Sequence, residues 1–390
     1  MKSYSLLILI LLAIVYLIGI FRAHFDATVI AIFIALWTLN IPNYDRLVML
    51  VAQVIFGVLI AFRILRLFQW KNCILGKGTS IFVLILAMNA WYTDSTFKGV
   101  IRFGLLVIFA WFLKSIDIEK LFQAGKYVAI SQTLICSSIF SSTNPREPMS
   151  YNFEDGSQNF SNLVGHPNYL AYVAAFNLFL SSIVYSNSKI LRNSFFLINF
   201  SAIVYSGCKT AMIAVLVSLW LNLISGKNRF TTFVSRKDAF LYLFFGAVLV
   251  VWLGESIVQR FTQFFESGGI RGENSLGWRI LQWSEALQVA NEKALTGVGW
   301  QNAGSFLLGG LKTHNSFLQA YLELGIVGFF VYLAIFIVLV SANTIEPNFR
   351  PFATILLFSS LVDAGIFFPA IAANIYFATS WVIKIEEKRK

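Results

Sequence analysis

The chain has 390 residues, of which 57% are hydrophobic and 13% charged. A soluble globular domain carries about 25% charged residues, so this composition excludes an ordinary soluble protein. The net charge of +11 is compatible with nucleic-acid binding, but in a membrane protein it first indicates basic loops on the cytoplasmic side. The three cysteines, Cys73, Cys136 and Cys208, have neither disulfide nor metal-ligand spacing.

Apolar runs close to the ~20 residues that cross a bilayer recur along the whole chain. They cover residues 4–22, 27–42, 46–63, 79–93, 98–116, 125–142, 165–186, 191–206, 209–225, 238–253, 315–342 and 350–385. The last run is long enough for two helices broken near Pro369. The first run has no small-residue cleavage site, so we interpret it as a helix and not as a signal peptide. The sequence therefore predicts an all-α, polytopic transmembrane bundle of about 12 helices.

Three regions are predicted. Residues 1–253 form a transmembrane bundle of about ten helices, residues 254–314 form one large polar loop with amphipathic helices, and residues 315–390 form C-terminal transmembrane helices with a basic cytoplasmic tail. Basic residues in alternate loops place those loops on the cytoplasmic face and the large loop on the opposite face. The first three runs do not fit this parity: either one of them is not a crossing, or the N-terminus lies outside.

Two of the three histidines are predicted at the outer ends of helices. Pro167 suits the first helical position and puts His166 near a helix cap. His314 ends the large loop, just before the next apolar run. A capping or interfacial role is the alternative to chemistry for both, and His24 is expected to be a solvated loop residue.

A polar stripe follows His314. Asn315, Gln319 and Glu323 recur every four residues and so share one helix face. Because polar groups facing lipid are costly, we expect this stripe to face the bundle interior or a water-filled cavity. A hydrogen-bonded seam between helices is the alternative.

Several cations are predicted on the same outer face as the two histidines. They are Lys209, Arg260, Arg271 and Arg279. Arginine side chains match phosphate oxygens well, so such a cluster is suited to a lipid-linked phosphate or pyrophosphate. Contact with anionic headgroups is the alternative. The chain has no P-loop, HExxH or Asp-x-Asp motif of a soluble or metal-dependent transferase.

The residues around His314 resemble the hallmark of the O-antigen ligase and polymerase superfamily. In its ligases, His is followed by Asn, Ser or Gln, nine residues, Gly, two residues, and then Gly, Thr or Tyr. His314, Asn315, Gly325 and Gly328 fit this pattern in full.

Further elements between about residues 150 and 342 support the resemblance. The stretch from Trp278 to Trp300 is similar to the family's Arg-containing element, with Ala294 where Pro is common. The segment 165–171 is similar to another element. Lys209 stands where the family usually has Arg, and Ile213 where it has Leu; lysine keeps the charge but loses the bidentate geometry.

The resemblance implies a metal-independent, cofactor-free membrane glycosyltransferase of the GT-C type in the bacterial inner membrane, with its active site facing the periplasm. The implied donor is a glycan on undecaprenyl pyrophosphate and the implied acceptor is lipid A-core or another glycan. His314 is the expected catalytic residue, and Arg279, Lys209, Arg260 and Arg271 the expected pyrophosphate ligands. The supporting residues are His166, Asn168, Asn315, Gln319, Glu323, Gly325 and Gly328.

The sequence is compatible with four functions to different degrees. An O-antigen ligase, which acts in lipopolysaccharide biosynthesis, comes first because the spacing fits the ligase form without a gap. A polymerase that joins undecaprenyl-pyrophosphate-linked repeat units follows closely, because it shares donor, side and fold. A protein-directed oligosaccharyltransferase usually carries more chain after the His motif. A lipid-linked-sugar transporter should have polar residues along a translocation path, whereas here the cations gather at one face.

Overall fold

A computed structural model describes residues 2–22, 24–39, 74–93, 98–141, 150–152, 157–159, 163–164, 166–224, 275–307, 313–363, 365–367 and 369–389. The described helices are α1 (Lys2–Phe21), α2 (Phe25–Thr38), α3 (Ile74–Thr93), α4 (Lys98–Ser115), α5 (Ile118–Cys136), α6 (Pro167–Val184), α7 (Lys189–Ser206), α8 (Lys209–Ile224), α9 (Ser275–Glu292), α10 (Ala303–Phe306), α11 (Ser316–Ile345), α12 (Arg350–Val362) and α13 (Pro369–Arg389). Short 3-10 helices cover Ser137–Ser141, Pro347–Phe349 and Gly365–Phe367.

The predicted helical bundle is confirmed, with a minor departure. Strands β1 (Ser150–Asn152) and β2 (Ser157–Asn159) form a small antiparallel hairpin. The predicted break in the last apolar run is also observed, since α12 ends at Val362 and α13 begins at Pro369. The predicted runs 46–63 and 238–253 lie outside the described residues.

Two of the described helices, Pro167–Val184 and Ser316–Ile345, are long and apolar enough to cross a membrane. Shorter apolar stretches within that part of the chain are Leu7–Phe21, Phe25–Thr38, Phe103–Ser115 and Lys209–Leu221. Composition alone therefore gives two candidate spans.

Polar side chains connect the helices inside the bundle. Asn177 on α6 donates to Thr133 of α5 at 2.8 Å and to Asn199 of α7 at 3.1 Å. Gln132 on α5 donates to Asn374 of α13 at 2.7 Å. All five side chains are buried. Such interhelical hydrogen bonds stabilise helix pairs where no water competes for the polar groups.

One end of the bundle collects basic residues, and we call it the basic end. Lys120 at the start of α5 pairs with Asp26 at the start of α2 at 3.1 Å. Lys114 at the end of α4 pairs with Glu387 near the end of α13. Burial raises the pKa of the Glu387 carboxyl, but the hydrogen bond and charge of Lys114 and Lys384 outweigh burial and leave the pKa below its usual value. The opposite end, which holds His166 and His314, is called the site end.

The direction of α1 bears on the unsettled parity of the first segments. Near its end, Gly19 lies against Tyr127 of α5, and His24 contacts the Tyr127 hydroxyl at 3.1 Å, so His24 is not simply solvated. The helix also packs against Ser137–Ser141, at the far end of α5. Helix α1 therefore begins at the site end and finishes at the basic end, which is the direction expected if the N-terminus lies on the same side as His314.

Helix α11 is not the single straight segment that the sequence predicts. The Phe317 ring lies 5.6 Å from Tyr332 and 4.9 Å from Phe336, centroid to centroid. A straight helix would separate these pairs by about 22 and 28 Å along its axis. The chain reverses at Gly325, where φ is 66° and ψ is −170°. A short first arm (316–324) therefore folds back on a long second arm (326–345).

The reversal explains both glycines of the His-Asn pattern. The backbone angles of Gly325 fall in a region that only glycine adopts readily, and a Cβ there would collide with the carbonyl of Leu295. Because the two arms meet, Gly328 faces Leu324 so closely that a Cβ would collide with that side chain. Backbone bonds complete the junction, with Val298 donating to the Leu322 carbonyl at 2.9 Å and Ile326 to the Ala294 carbonyl at 2.7 Å.

Replacing Gly325 with alanine should lower the stability of the protein by about 2 kcal/mol or more, because the backbone strain alone costs 1–3 kcal/mol. The measurement is the midpoint of thermal unfolding of the detergent-solubilised protein. Gly104→Ala is the matched control, since a Cβ at Gly104 meets nothing within 4 Å. Equal midpoints for the two variants would show that the reversal at Gly325 is absent.

Candidate active site

His314 lies at the site end in a strained conformation. Its φ is 50°, in the left-handed region that residues other than glycine seldom adopt. Its side chain is 25% exposed, and its Nδ1 lies 3.3 Å from Oδ1 of Asp363, which is only 2% exposed. A carboxylate accepts hydrogen bonds, so the Nδ1 atom carries the proton and Nε2 is left as an acceptor. With Nδ1 donating to the carboxylate, Nε2 is the ring nitrogen that a general base would use to take up a proton.

Asp363 is the centre of the contacts around His314. It follows the last residue of α12, and its second carboxylate oxygen accepts a hydrogen bond from the Asn168 side chain at 3.3 Å. The Asp363 backbone carbonyl accepts from the Ser316 hydroxyl at 2.9 Å. The carboxylate therefore joins the starts of α6 and α11 to the end of α12, and its orientation is fixed by three helices.

Asn315 holds the His314 backbone in place. Its side-chain oxygen accepts from the backbone N–H groups of Phe317 and Leu318, both at 3.0 Å, and so caps the first arm of α11. Its side-chain nitrogen donates to the Leu361 carbonyl on α12 at 3.0 Å. An amide suits this position because it supplies an acceptor and a donor at once.

The predicted polar stripe is buried but serves its own arm. Gln319 donates to the Glu323 carboxylate at 2.5 Å and accepts from the Thr313 hydroxyl at 3.1 Å. Both stripe side chains are buried, as expected. These contacts rigidify the first arm and the residue that precedes His314, so the contacts described for Gln319 and Glu323 are structural ones within one arm and do not form a seam between helices.

Arg279 is carried to the site by α9. Trp283, one turn further along this helix, donates to the Thr313 carbonyl at 2.6 Å and so fixes α9 beside His314. Arg279 is half-buried, and its guanidinium lies within electrostatic range of the buried Tyr172 hydroxyl on α6. The Asp363 carboxylate acts on the same hydroxyl. Arg279 and the carboxylate that contacts His314 therefore both lie within electrostatic range of one buried hydroxyl.

Lys209 begins α8 near the same place. The preceding residue, Cys208, also lies within electrostatic range of Tyr172, and the Cys208 N–H donates to the Ser206 hydroxyl at 3.1 Å. This geometry brings the start of α8 to the cluster. Arg260 and Arg271, the other two predicted pyrophosphate ligands, lie outside the described residues.

His166 occupies the predicted cap position. It is the N-cap of α6, and its Nδ1 accepts from the Asn168 N–H at 3.2 Å. Its ring also lies 5.1 Å from that of Tyr169. The capping interpretation is thus supported, while Asn168, the second residue of α6, contacts the carboxylate that holds His314.

Asp363 was not among the residues singled out in the sequence. A signal was present, because it is an ionisable residue inside the apolar run 350–385, and such residues usually mark functional sites. Its distance of 49 residues from His314 hid the partnership. In the part of the chain that the structure describes, no group of three His, Cys, Asp or Glu side chains could hold a metal ion.

Taken together, the fold and the cluster define a helical bundle with a His–Asp pair at one end and an arginine on a neighbouring helix. A family model described as O-antigen ligase matches residues 194–333. The resemblance to the O-antigen ligase and polymerase superfamily, a family of membrane proteins, is thereby confirmed. The matched segment includes Lys209, Arg279 and His314 and ends before Asp363. No protein of curated function matches the chain.

Proposed function

We propose that this protein is an O-antigen ligase, which transfers a glycan from undecaprenyl pyrophosphate to lipid A-core at the periplasmic face of the inner membrane. The observation that carries the proposal is the His314–Asp363 pair at the start of the arm that bears the His-Asn-Gly-Gly pattern. The family implies that the substrates are lipid-linked glycans. The particular donor and the particular acceptor are part of the proposal.

The acceptor hydroxyl loses its proton to Nε2 of His314. As it does so, the acceptor oxygen forms a bond to the anomeric carbon of the donor sugar. Asp363 keeps the Nδ1 proton in place and stabilises the imidazolium that forms, because it is an acceptor 3.3 Å away. The bond between the anomeric carbon and the phosphate oxygen breaks, and the electron pair leaves with undecaprenyl pyrophosphate.

Positive charge favours departure of the pyrophosphate. Arg279, which acts on the same Tyr172 hydroxyl as Asp363, and Lys209, whose neighbour Cys208 also acts on that hydroxyl, are proposed to bind the phosphate oxygens, where negative charge increases as the bond breaks. Fixed cations in a site with little water stabilise that charge without reorganising at the moment of reaction. Arg260 and Arg271 are kept as further candidate ligands from the sequence.

Replacing Arg279 with glutamine should lower the rate of transfer by about 10²- to 10³-fold, the usual effect of removing one stabilising donor from a developing anion. The transfer rate of Arg279→Lys should lie between those of wild type and Arg279→Gln, since lysine keeps the charge without the bidentate geometry. The measurement is transfer by the purified enzyme in lipid nanodiscs. Lys293→Gln, an exposed position just beyond α9, is the matched control and should leave the rate unchanged. Equal rates for wild type and Arg279→Gln would contradict the assignment.

The lipopolysaccharide of a deletion strain tests the proposed ligase activity against polymerase activity. A ligase predicts that lipid A-core carries no O-antigen and that long undecaprenyl-linked chains accumulate. Single repeat units attached to the core would instead identify a polymerase. Normal long-chain O-antigen on the core would contradict both functions.

A further inference from the structure

Helix α9 belongs to the large loop that the sequence places in water, yet its height in the bundle is that of the surrounding lipid-facing helices. Trp283 near its start is bonded to Thr313, next to His314. Asn291 near its end accepts from the Tyr321 hydroxyl on the first arm of α11 at 3.0 Å. The helix therefore rises beside the first arm, from the level of His314 to the reversal at Gly325.

The neighbouring helices mark how far the lipid-facing surface extends at the site end. On α3, exposed apolar side chains continue in one stripe from Ile81 (55% exposed) to Trp91 (82%). On the second arm of α11, Val327 is 56% exposed immediately after the reversal. Asn89, in the last part of the α3 stripe, donates to the Thr296 carbonyl in the turn that follows α9, at 2.7 Å. The turn after α9 thus reaches only the upper edge of this apolar surface.

The exposed side chains of α9 change character along the helix. Between residues 279 and 287 the exposed side chains are Ile280, Leu281, Ser284 and Leu287. Between residues 288 and 293 they are Gln288, Asn291, Glu292 and Lys293. Three of the first four are apolar and all of the second four are polar. A change of this kind along one helix is typical of a helix whose lower part contacts acyl chains and whose upper part reaches water.

We infer that α9 from Arg279 to Leu287 is immersed in the outer leaflet, with Ile280 and Leu287 against lipid acyl chains. The apolar surface of this part is continuous in height with the stripes of α3 and α11, which identifies acyl chains as the occupant. Arg279 then lies about 12 Å below the boundary at Leu287, measured along the helix axis. A cation at that depth requires an anion or a buried partner.

This depth has a consequence for the lipid-linked donor. A phosphate bound by Arg279 would be met from within the leaflet, so the donor would reach the site sideways from the membrane and not from the water above it. This consequence rests on the proposed function. The immersion of α9 does not, because it depends only on the exposed residues and on the hydrogen bonds that set the height of the helix.

Nitroxide labels on single cysteines at positions 280, 287 and 293 test the immersion in lipid nanodiscs. Cys73, Cys136 and Cys208 are first replaced by serine or alanine. The spectra of labels at 280 and 287 are expected to be broadened by oxygen, which concentrates in lipid. A water-soluble nickel chelate should not broaden them. A label at 293 should show the reverse. Ile81→Cys on the lipid-facing stripe of α3 is the control for full immersion.

Two results would overturn the inference. Broadening by the nickel chelate at 280 and 287 would place this part of α9 in water. Exclusion of both reagents would mean that protein covers it, either a second copy of this chain or another segment. Glycan transfer is measured separately on the unlabelled protein, so immersion without transfer would contradict only the proposed function.

Discussion

The His314→Ala protein is expected to reach the membrane at the wild-type level and to transfer glycan about 10²- to 10⁴-fold more slowly, the range that a positioned general base supplies. The His314 side chain is partly exposed and packs into no described core, so its loss should not prevent folding. The measurements are the amount of protein in the membrane, by immunoblot, and transfer from undecaprenyl pyrophosphate to lipid A-core by the purified enzyme.

His24→Ala is the matched control, because it removes the same side chain at the basic end of the bundle. It should leave transfer near the wild-type rate. If His314→Ala keeps full activity, His314 is not the base. If both variants lose activity together with a fall in membrane level, the loss reports folding and not chemistry.

The Asp363→Asn protein should retain its fold and lose transfer by about 100-fold or more, because the neutral amide neither holds the Nδ1 proton of His314 in place nor stabilises an imidazolium. Asparagine fills the same space, and its oxygen can still accept from Asn168. The loss should appear in kcat, with KM for the donor little changed, because the pair acts in the transition state and does not bind the ground-state substrate.

Asn168→Ala gives the graded comparison. It removes one of the two side-chain contacts of the Asp363 carboxylate and leaves the contact with His314. Its rate should fall between those of wild type and Asp363→Asn. An unchanged kcat for Asp363→Asn would show that the carboxylate does not act through His314, whereas a raised KM with the same kcat would assign it to substrate binding.

These variants also separate the site from its scaffold. Gln319 bonds to Glu323 and to Thr313, so replacement of Gln319 or Glu323 is expected to act through the first arm of α11. By contrast, Asp363 contacts His314, and Asp363 and Arg279 both act electrostatically on Tyr172. Activity should be far more sensitive to these three side chains than thermal stability is.

Much of the helical framework could be predicted because apolar length is a local property. The break between α12 and α13 coincides with Pro369, and His166 caps α6 because a proline follows it. The burial of Gln319 and Glu323 likewise follows from a spacing of four on a helix among apolar residues. The His-Asn-Gly-Gly pattern indicated the superfamily for the same reason, since its four residues lie within a stretch of fifteen residues.

The partnership between His314 and Asp363, and the reversal at Gly325, were decided by the tertiary structure. In the sequence, residues 315–342 are uniformly apolar apart from the stripe, and a glycine in such a run is compatible with a continuous helix. The reversal exists because the turn after α9 offers backbone donors and acceptors to the carbonyls and N–H groups that the broken helix exposes. That fold-back and the packing of α12 against α11 bring the carboxylate to the histidine. The sequence alone determined that polar chemistry gathers at one end of a membrane bundle; which groups touch there depended on contacts between helices far apart in the chain, which no local pattern records.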